Sequence, residues 1–134
     1  MQHAYTYKAC AGEFHRPAHI ILMRDAWVAE SRRQAEEEYG PEVLTAYRYY
    51  WKSDSLSFRG IGAEGEFTLE KMASDRIILG SPAEVVEAIQ RWQEATGAEM
   101  VIFRLRQAHS GGPPHAKILQ AIRLFGEKVI PRFQ

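Results

Sequence analysis

Apolar and polar positions fall into blocks whose period changes along the chain. From His19 to Ala29 the sequence runs His-Ile-Ile-Leu-Met-Arg-Asp-Ala-Trp-Val-Ala. That run is apolar on both alternating faces, the pattern of a strand covered on both sides. Ser31, with Gln34 three residues on, forms a capping box that predicts a helix start. This helix carries Arg32, Arg33, Glu36, Glu37 and Glu38 and is expected to stop near Gly40. Pro41 suits the first turn of a second helix, to which Val43, Leu44, Tyr47 and Tyr50 or Trp51 give an apolar face. Residues 1–17 have no such period and read as an irregular lead-in closed by Pro17. Residues 52–74, with Ser53, Asp54, Ser55 and Ser57 and then Gly60, Gly62 and Gly65, read as a long loop, in which 67–72 could form a short helix.

The last sixty residues are clearer. Ile77-Ile78-Leu79 is a short apolar run ending at Gly80. Ser81-Pro82-Ala83-Glu84 combines an N-cap serine, a first-turn proline and a capping-box glutamate. Val85, Ile89 and Trp92 follow at helical spacing, and Gly97 stands where a left-handed residue would end the helix. Ala98 to Arg106 reads as a strand with two covered faces, through Met100, Val101, Ile102 and Phe103. His109-Ser-Gly-Gly-Pro-Pro114 is a loop, and Pro114 can open a final helix. Ile118, Ile122, Phe125 and Val129 are expected to form its buried stripe, with Pro131 ending it. The order strand, helices, loop, helix, strand, helix predicts an α/β fold with parallel pairing across a crossover.

Length and charge narrow the classes. The 134 residues suit one domain, 1–134, and exclude a whole eight-stranded (β/α) barrel, which needs about 250. Hydrophobic residues make up 46% and charged residues 25%, so the chain as a whole is not disordered. Lys+Arg and Asp+Glu are 17 each, so no basic footprint points to nucleic acid, and neutrality favours association. No run approaches the ~18 apolar residues of a membrane span. The first residues lack the apolar core of a secretory signal, so a cytoplasmic location is expected. The single cysteine, Cys10, rules out an internal disulfide framework and a thiolate-rich zinc site.

Several constellations could carry chemistry. Gly60-Ile-Gly62-Ala-Glu-Gly65 matches the dinucleotide fingerprint literally, but no strand precedes it and it reads as a flexible loop. His15 and His19 are separated by Pro17, which prevents helical presentation to a metal, and no metal site is expected. Cys10 has no base assignable from sequence and reads as a non-catalytic thiol. The Tyr47-Arg-Tyr-Tyr-Trp51 cluster could stack a planar ring, though such spacing more often marks core or interface. Ser110, Gly111 and Gly112 follow a strand and precede a helix, where free backbone N–H groups can hold an anion. Arg104 and Arg106 share one face of the preceding strand and could supply charge.

At Asp75-Arg-Ile-Ile-Leu-Gly-Ser-Pro-Ala-Glu-Val-Val86 the chain resembles the luciferase-like flavin-dependent monooxygenases. Their C-terminal region typically reads Ile-Gly-Thr/Ser-Pro-Glu, a helix, Thr-Gly-Ala/Ile-Asp, the last barrel strand, a glycine loop, and a helix ending near Val-Ile/Met-Pro. This chain has Gly80-Ser-Pro82, Thr96-Gly97-Ala98, Ser110-Gly-Gly112, Leu124-Phe125 and Val129-Ile-Pro131 in that order. Upstream, Arg24-Asp25-Ala-Trp-Val-Ala-Glu-Ser-Arg-Arg-Gln-Ala35 resembles the family's penultimate strand entering a helix. The likeness covers about 18–133. It implies a partial (β/α) barrel, the last two strand–helix units of a TIM-barrel fold that uses FMN or a deazaflavin. It implies no catalytic residue here, because those of the family lie mostly on earlier strands. It does imply that the Ser110–Gly112 loop faces the active site, with Arg104, Ser110, Gly111 and Gly112 as candidate FMN contacts. Three roles follow as expectations: a flavin-dependent oxidoreductase fragment or subunit, inactive alone; a non-catalytic half-barrel assembly protein; or a truncated remnant. A half-barrel leaves strand edges unpaired, so a homo-oligomer or a complementary barrel subunit is expected.

Overall fold

The computed structural model describes residues 2–133. Three parallel strands, β1 (Ile21–Val28), β2 (Ile77–Gly80) and β3 (Met100–Arg104), form one open sheet in the order β2-β1-β3. Among the described residues, five α-helices accompany them: α1 (Gln2–Glu13), α2 (Arg32–Lys52), α3 (Leu69–Ala73), α4 (Pro82–Thr96) and α5 (His115–Leu124). The expected strands therefore form, and Ile77–Leu79 is a third strand, whose β2–α4 unit is inserted between β1–α2 and β3–α5.

The sheet order decides where the helices go. The step from β1 to β2 and the step from β2 to β3 run in opposite directions across the sheet. Right-handed crossovers then place α2 and α4 on opposite faces. Side chains agree. On one face of β1, the Asp25 carboxylate and the Trp27 ring meet Tyr47 and Tyr39 of α2. On the other, Arg24 lies over the Trp92 ring of α4, and Phe103 stacks on Phe125 beyond α5. Every residue of β2 is buried, since both layers cover it.

α2 corrects the expectation of two helices. It runs unbroken through Pro41. Proline disfavours the α conformation of the preceding residue through a clash with its Cβ, and here that residue is Gly40, which has none. Tyr39, Val43, Ala46 and Tyr47 are buried on either side of the proline, so tertiary packing offsets the lost hydrogen bond. Ser31 caps the start, accepting from the Gln34 N–H at 3.2 Å.

The lead-in is also corrected. Residues expected to be irregular include α1, which is mostly exposed and so leaves no apolar stripe in the sequence. The 52–74 stretch folds back on α2 instead of standing free. Phe58 and Phe67 are buried against Tyr47 and Trp51, and the short helix α3 closes it.

The C-terminal half matches the pattern with one exception. Ser81 and Glu84 make the expected box, and Gly97 ends α4 at φ 68°. Ile118, Phe125 and Val129 are buried, but Ile122 is 49% exposed. Ala121, three residues after Ile118 and four before Phe125, takes the inward place. A wider π-helical turn at Phe125–Val129 then brings Val129 in.

Candidate functional site

The loop after β3 is pinned at both shoulders. Gln107 is buried, and its Nε2 donates to Asp25 Oδ1 at 2.5 Å and to the Tyr39 hydroxyl at 3.2 Å. His109 stacks on Tyr49 of α2, ring centroids 3.3 Å apart. The Gly111 N–H turns back to donate to the Gln107 carbonyl at 3.0 Å. Gly111 and Gly112 both take left-handed backbone, φ 78° and 71°. A Cβ on Gly112 would sit 3.2 Å from Arg106 Cα. The Ser110 Oγ is buried and has no hydrogen-bond partner. Arg106 Nε donates to the Gly111 carbonyl at 2.7 Å. The next helix, α5, begins after Pro114 with no side-chain cap, leaving its N-terminal N–H groups and positive dipole end toward this loop.

Arg104 is placed differently from the sequence expectation that it serves the loop. It grips Asp25 with two hydrogen bonds, Nε to Oδ1 at 2.6 Å and Nη2 to Oδ2 at 2.9 Å. The Asp25 bonds hold the guanidinium above its ordinary pKa, against partial burial. Tyr47 donates to Asp25 Oδ2 at 2.5 Å, and Tyr39 donates to the Arg104 carbonyl at 3.0 Å. Burial, then the Asp25 charge, pushes both phenols above their ordinary range, so both stay neutral donors. The cation nearest the glycine loop is Arg106.

This network was missed from sequence. One signal was available: Asp25 is a lone carboxylate inside an apolar strand, and a buried charge requires a partner. Its partner is 79 residues away and no local pattern names it.

The other sequence candidates separate. In the Gly60–Gly65 stretch, the Glu66 carboxylate itself accepts from the Gly62 and Ala63 N–H groups at 2.8 and 2.9 Å, taking the place a phosphate would need. Cys10 is exposed on α1. Within the aromatic cluster, Tyr47 and Trp51 are packed as described, while Tyr49 lies on His109. Among the described residues, no group of three His, Cys, Asp or Glu is arranged to hold a metal. Among them, too, no helix is long and apolar enough to cross a membrane.

No family model matches the sequence, and no curated protein matches it. Solved structures do. Monooxygenase RslO1 from Streptomyces bottropensis superposes with a TM-score of 0.75 at 20% identity, covering 98% of this chain and 37% of that one. The oxygenating constituent of 3,6-diketocamphane monooxygenase from Pseudomonas putida, a type II Baeyer-Villiger monooxygenase in complex with FMN, gives 0.60 at 18% identity. That match covers 93% of this chain and 37% of the other. The chain thus shares the fold of part of these two monooxygenases, and it spans 37% of the length of each.

Proposed function

We propose that the chain is the C-terminal half-barrel portion of a luciferase-like flavin-dependent oxidoreductase, working only when further barrel strands pair with it. The observation that carries this reading is an uncovered apolar stripe. On the α2 face, Ile21 pairs in register with Met100 and Met23 with Ile102, and all four side chains are roughly half exposed, from 47 to 58%. α2 covers only the C-terminal half of this face, over Asp25 and Trp27. In a closed barrel such positions point into the lumen and are filled by side chains from the other strands. The outer edge of β3 has no strand neighbour among the described residues, so the strands that would cover the stripe have a place to join.

The phosphate end of FMN fits the loop. Ser110 Oγ is a buried group wanting a partner, Gly111 and Gly112 allow close approach, and α5 presents its N-terminus. Arg106, next to Gly111, would supply charge in place of Arg104, which Asp25 holds. Bound flavin would supply redox chemistry, while this chain's part is to anchor the phosphate and to wall one side of the ring.

A second reading is favoured by the Arg104–Asp25 pair. The strand-end arginine expected to meet the cofactor serves the sheet instead, as in a non-catalytic half-barrel that only assembles. An FMN titration followed by fluorescence separates the two. The oxidoreductase reading expects weak binding by this chain alone, lost in Ser110→Ala and weakened in Arg106→Ala. No binding at millimolar FMN, with assembly intact, leaves the non-catalytic reading.

A further inference from the structure

A second concavity, away from the glycine loop, lies where the sheet is ragged. β2 begins opposite Asp25, so the Met23–Arg24 edge of β1 has no strand beside it on that side. A cleft of about 490 Å³ opens there, walled by Tyr50, the Ser55–Phe58 turn and the Asp75–Arg76 segment leading into β2. Its volume is in the usual range for small-molecule sites.

The charges in this cleft do not cancel. Arg104 is paired with Asp25, and Arg76 lies 3.6 Å from Asp75 while covering the Phe58 ring. Arg24 is the remaining cation. Among the described residues it has no carboxylate within 4 Å. Its guanidinium rests 4.1 Å above the centroid of a Trp92 ring, and Nη1 donates to the neighbouring Met23 carbonyl at 3.0 Å. Its Nε is buried without a partner. Burial lowers its pKa from the ordinary value, with the Asp75 and Asp25 charges acting against it. The ring below it fixes the plane of the fork, so the cation is preorganised. Tyr50, Ser55 and Ser57, each carrying a hydroxyl, line the same cleft.

We propose that this cleft binds a small organic oxyanion, a carboxylate or a phosphate ester on a planar body, with its charged head on Arg24 and its body along Tyr50. Arginine in a fixed orientation suits either head, since both present two oxygens to two N–H groups. The serine hydroxyls would complete the head's hydrogen bonds, and the ring would cover the body. This site is separate from the glycine loop and does not depend on flavin binding.

The test uses the whole chain, labelled with nitrogen-15, with benzoate, phenyl phosphate and inorganic phosphate as probes at constant ionic strength. Phenyl phosphate or benzoate at millimolar concentration is expected to move the Trp92 indole N–H and the Ser55 and Ser57 amides along one saturable curve. Which probe binds more tightly tells whether the head is a phosphate or a carboxylate. Inorganic phosphate should bind more weakly than phenyl phosphate, because it lacks the body. Losing one charged hydrogen-bond partner should weaken affinity about tenfold in Arg24→Gln. Arg24→Lys should recover part of it, and Ser110→Ala should change nothing. Should Arg24→Gln fail to fold, the double variant Ser55→Ala, Ser57→Ala on the turn gives the same reading. Absence of a saturable shift with either aromatic probe overturns the proposal. So does an affinity unchanged in Arg24→Gln, or in the double serine variant.

Discussion

Arg104 and Asp25 sit on neighbouring parallel strands at the same register position, and the guanidinium grips the carboxylate through two bonds while burial differs sharply between them. The Asp25 side chain is 4% exposed and that of Arg104 is 41% exposed. The asymmetry predicts unequal mutational costs. Arg104→Met leaves a buried carboxylate supported only by Tyr47 and Gln107, and breaking a buried pair this way costs about 3 kcal/mol or more. Asp25→Asn leaves an arginine that can reach water. The new amide N–H2 faces two of the four donors the carboxylate accepts, of which the Tyr47 hydroxyl can turn to accept instead, so the cost should be lower, about 2 kcal/mol. Urea unfolding of the two variants checks this. Equal costs, or a larger one for Asp25→Asn, would show that the pair is not the buried anchor described here.

The same carboxylate shapes the response to alkali. Tyr47 and Tyr39 have pKa values raised in the fold by burial and by Asp25. The unfolded chain ionises these phenols near pH 10, while the folded chain keeps them neutral. The stability they contribute is therefore fully present below pH 10 and is lost as pH rises above it, by about 1.4 kcal/mol per pH unit for each tyrosine. Tyr47→Phe removes one such group. It should be less stable than the parent at neutral pH, having lost a hydrogen bond to a charged acceptor worth about 1.5–3 kcal/mol. Above pH 10 its stability should fall less steeply. A slope identical to the parent's, from urea midpoints across the alkaline range, counts against a neutral buried Tyr47.

Much of the frame was legible because it is local. The Ser31 cap, the Ser81-Pro82-Glu84 start of α4 and the Gly97 stop depend on neighbours three or four residues apart, and each forms. What failed depends on distant packing. Pro41 looked like a helix start, yet Gly40 before it and the buried Tyr39, Val43 and Tyr47 carry α2 through. β2 is four residues long, too short for periodicity to distinguish it from any apolar run. β1 and β3 read as covered on both faces, yet Ile21, Met23, Met100 and Ile102 are open on one. An apolar side chain awaiting a partner and one already buried look alike in sequence. Of the candidate site, the glycine loop was visible as turn chemistry, while the Asp25 network joins residues from three distant segments.

The last helix offers a paired test of packing. Phe125 is 4% exposed and stacks on Phe103 with centroids 4.8 Å apart. Phe125→Ala should cost about 3–5 kcal/mol. Ile122, on the outer side of α5, should lose well under 1 kcal/mol when changed to Ala, since alanine also favours the helix. Thermal melts of both variants decide it. A large loss at Ile122 would mean that this face of α5 is covered in solution.

The open sheet makes a prediction about assembly. An apolar stripe of four half-exposed side chains beside an unpaired strand edge is unfavourable in water, and a chain of zero formal net charge has little repulsion to keep copies apart. The chain should therefore be a dimer or larger at micromolar concentration, with the stripe or the β3 edge at the interface. Ile102→Glu tests the location. Ile102 is 47% exposed within one chain, so a charge there can stay in water and the fold should survive with little change in its circular dichroism. At an interface the same charge would be buried unpaired, at a cost of several kcal/mol, and the assembly should fall apart. Light scattering on parent and variant gives the answer. A monomeric parent, or a variant that stays assembled, would place the contact elsewhere and remove the stripe as its cause.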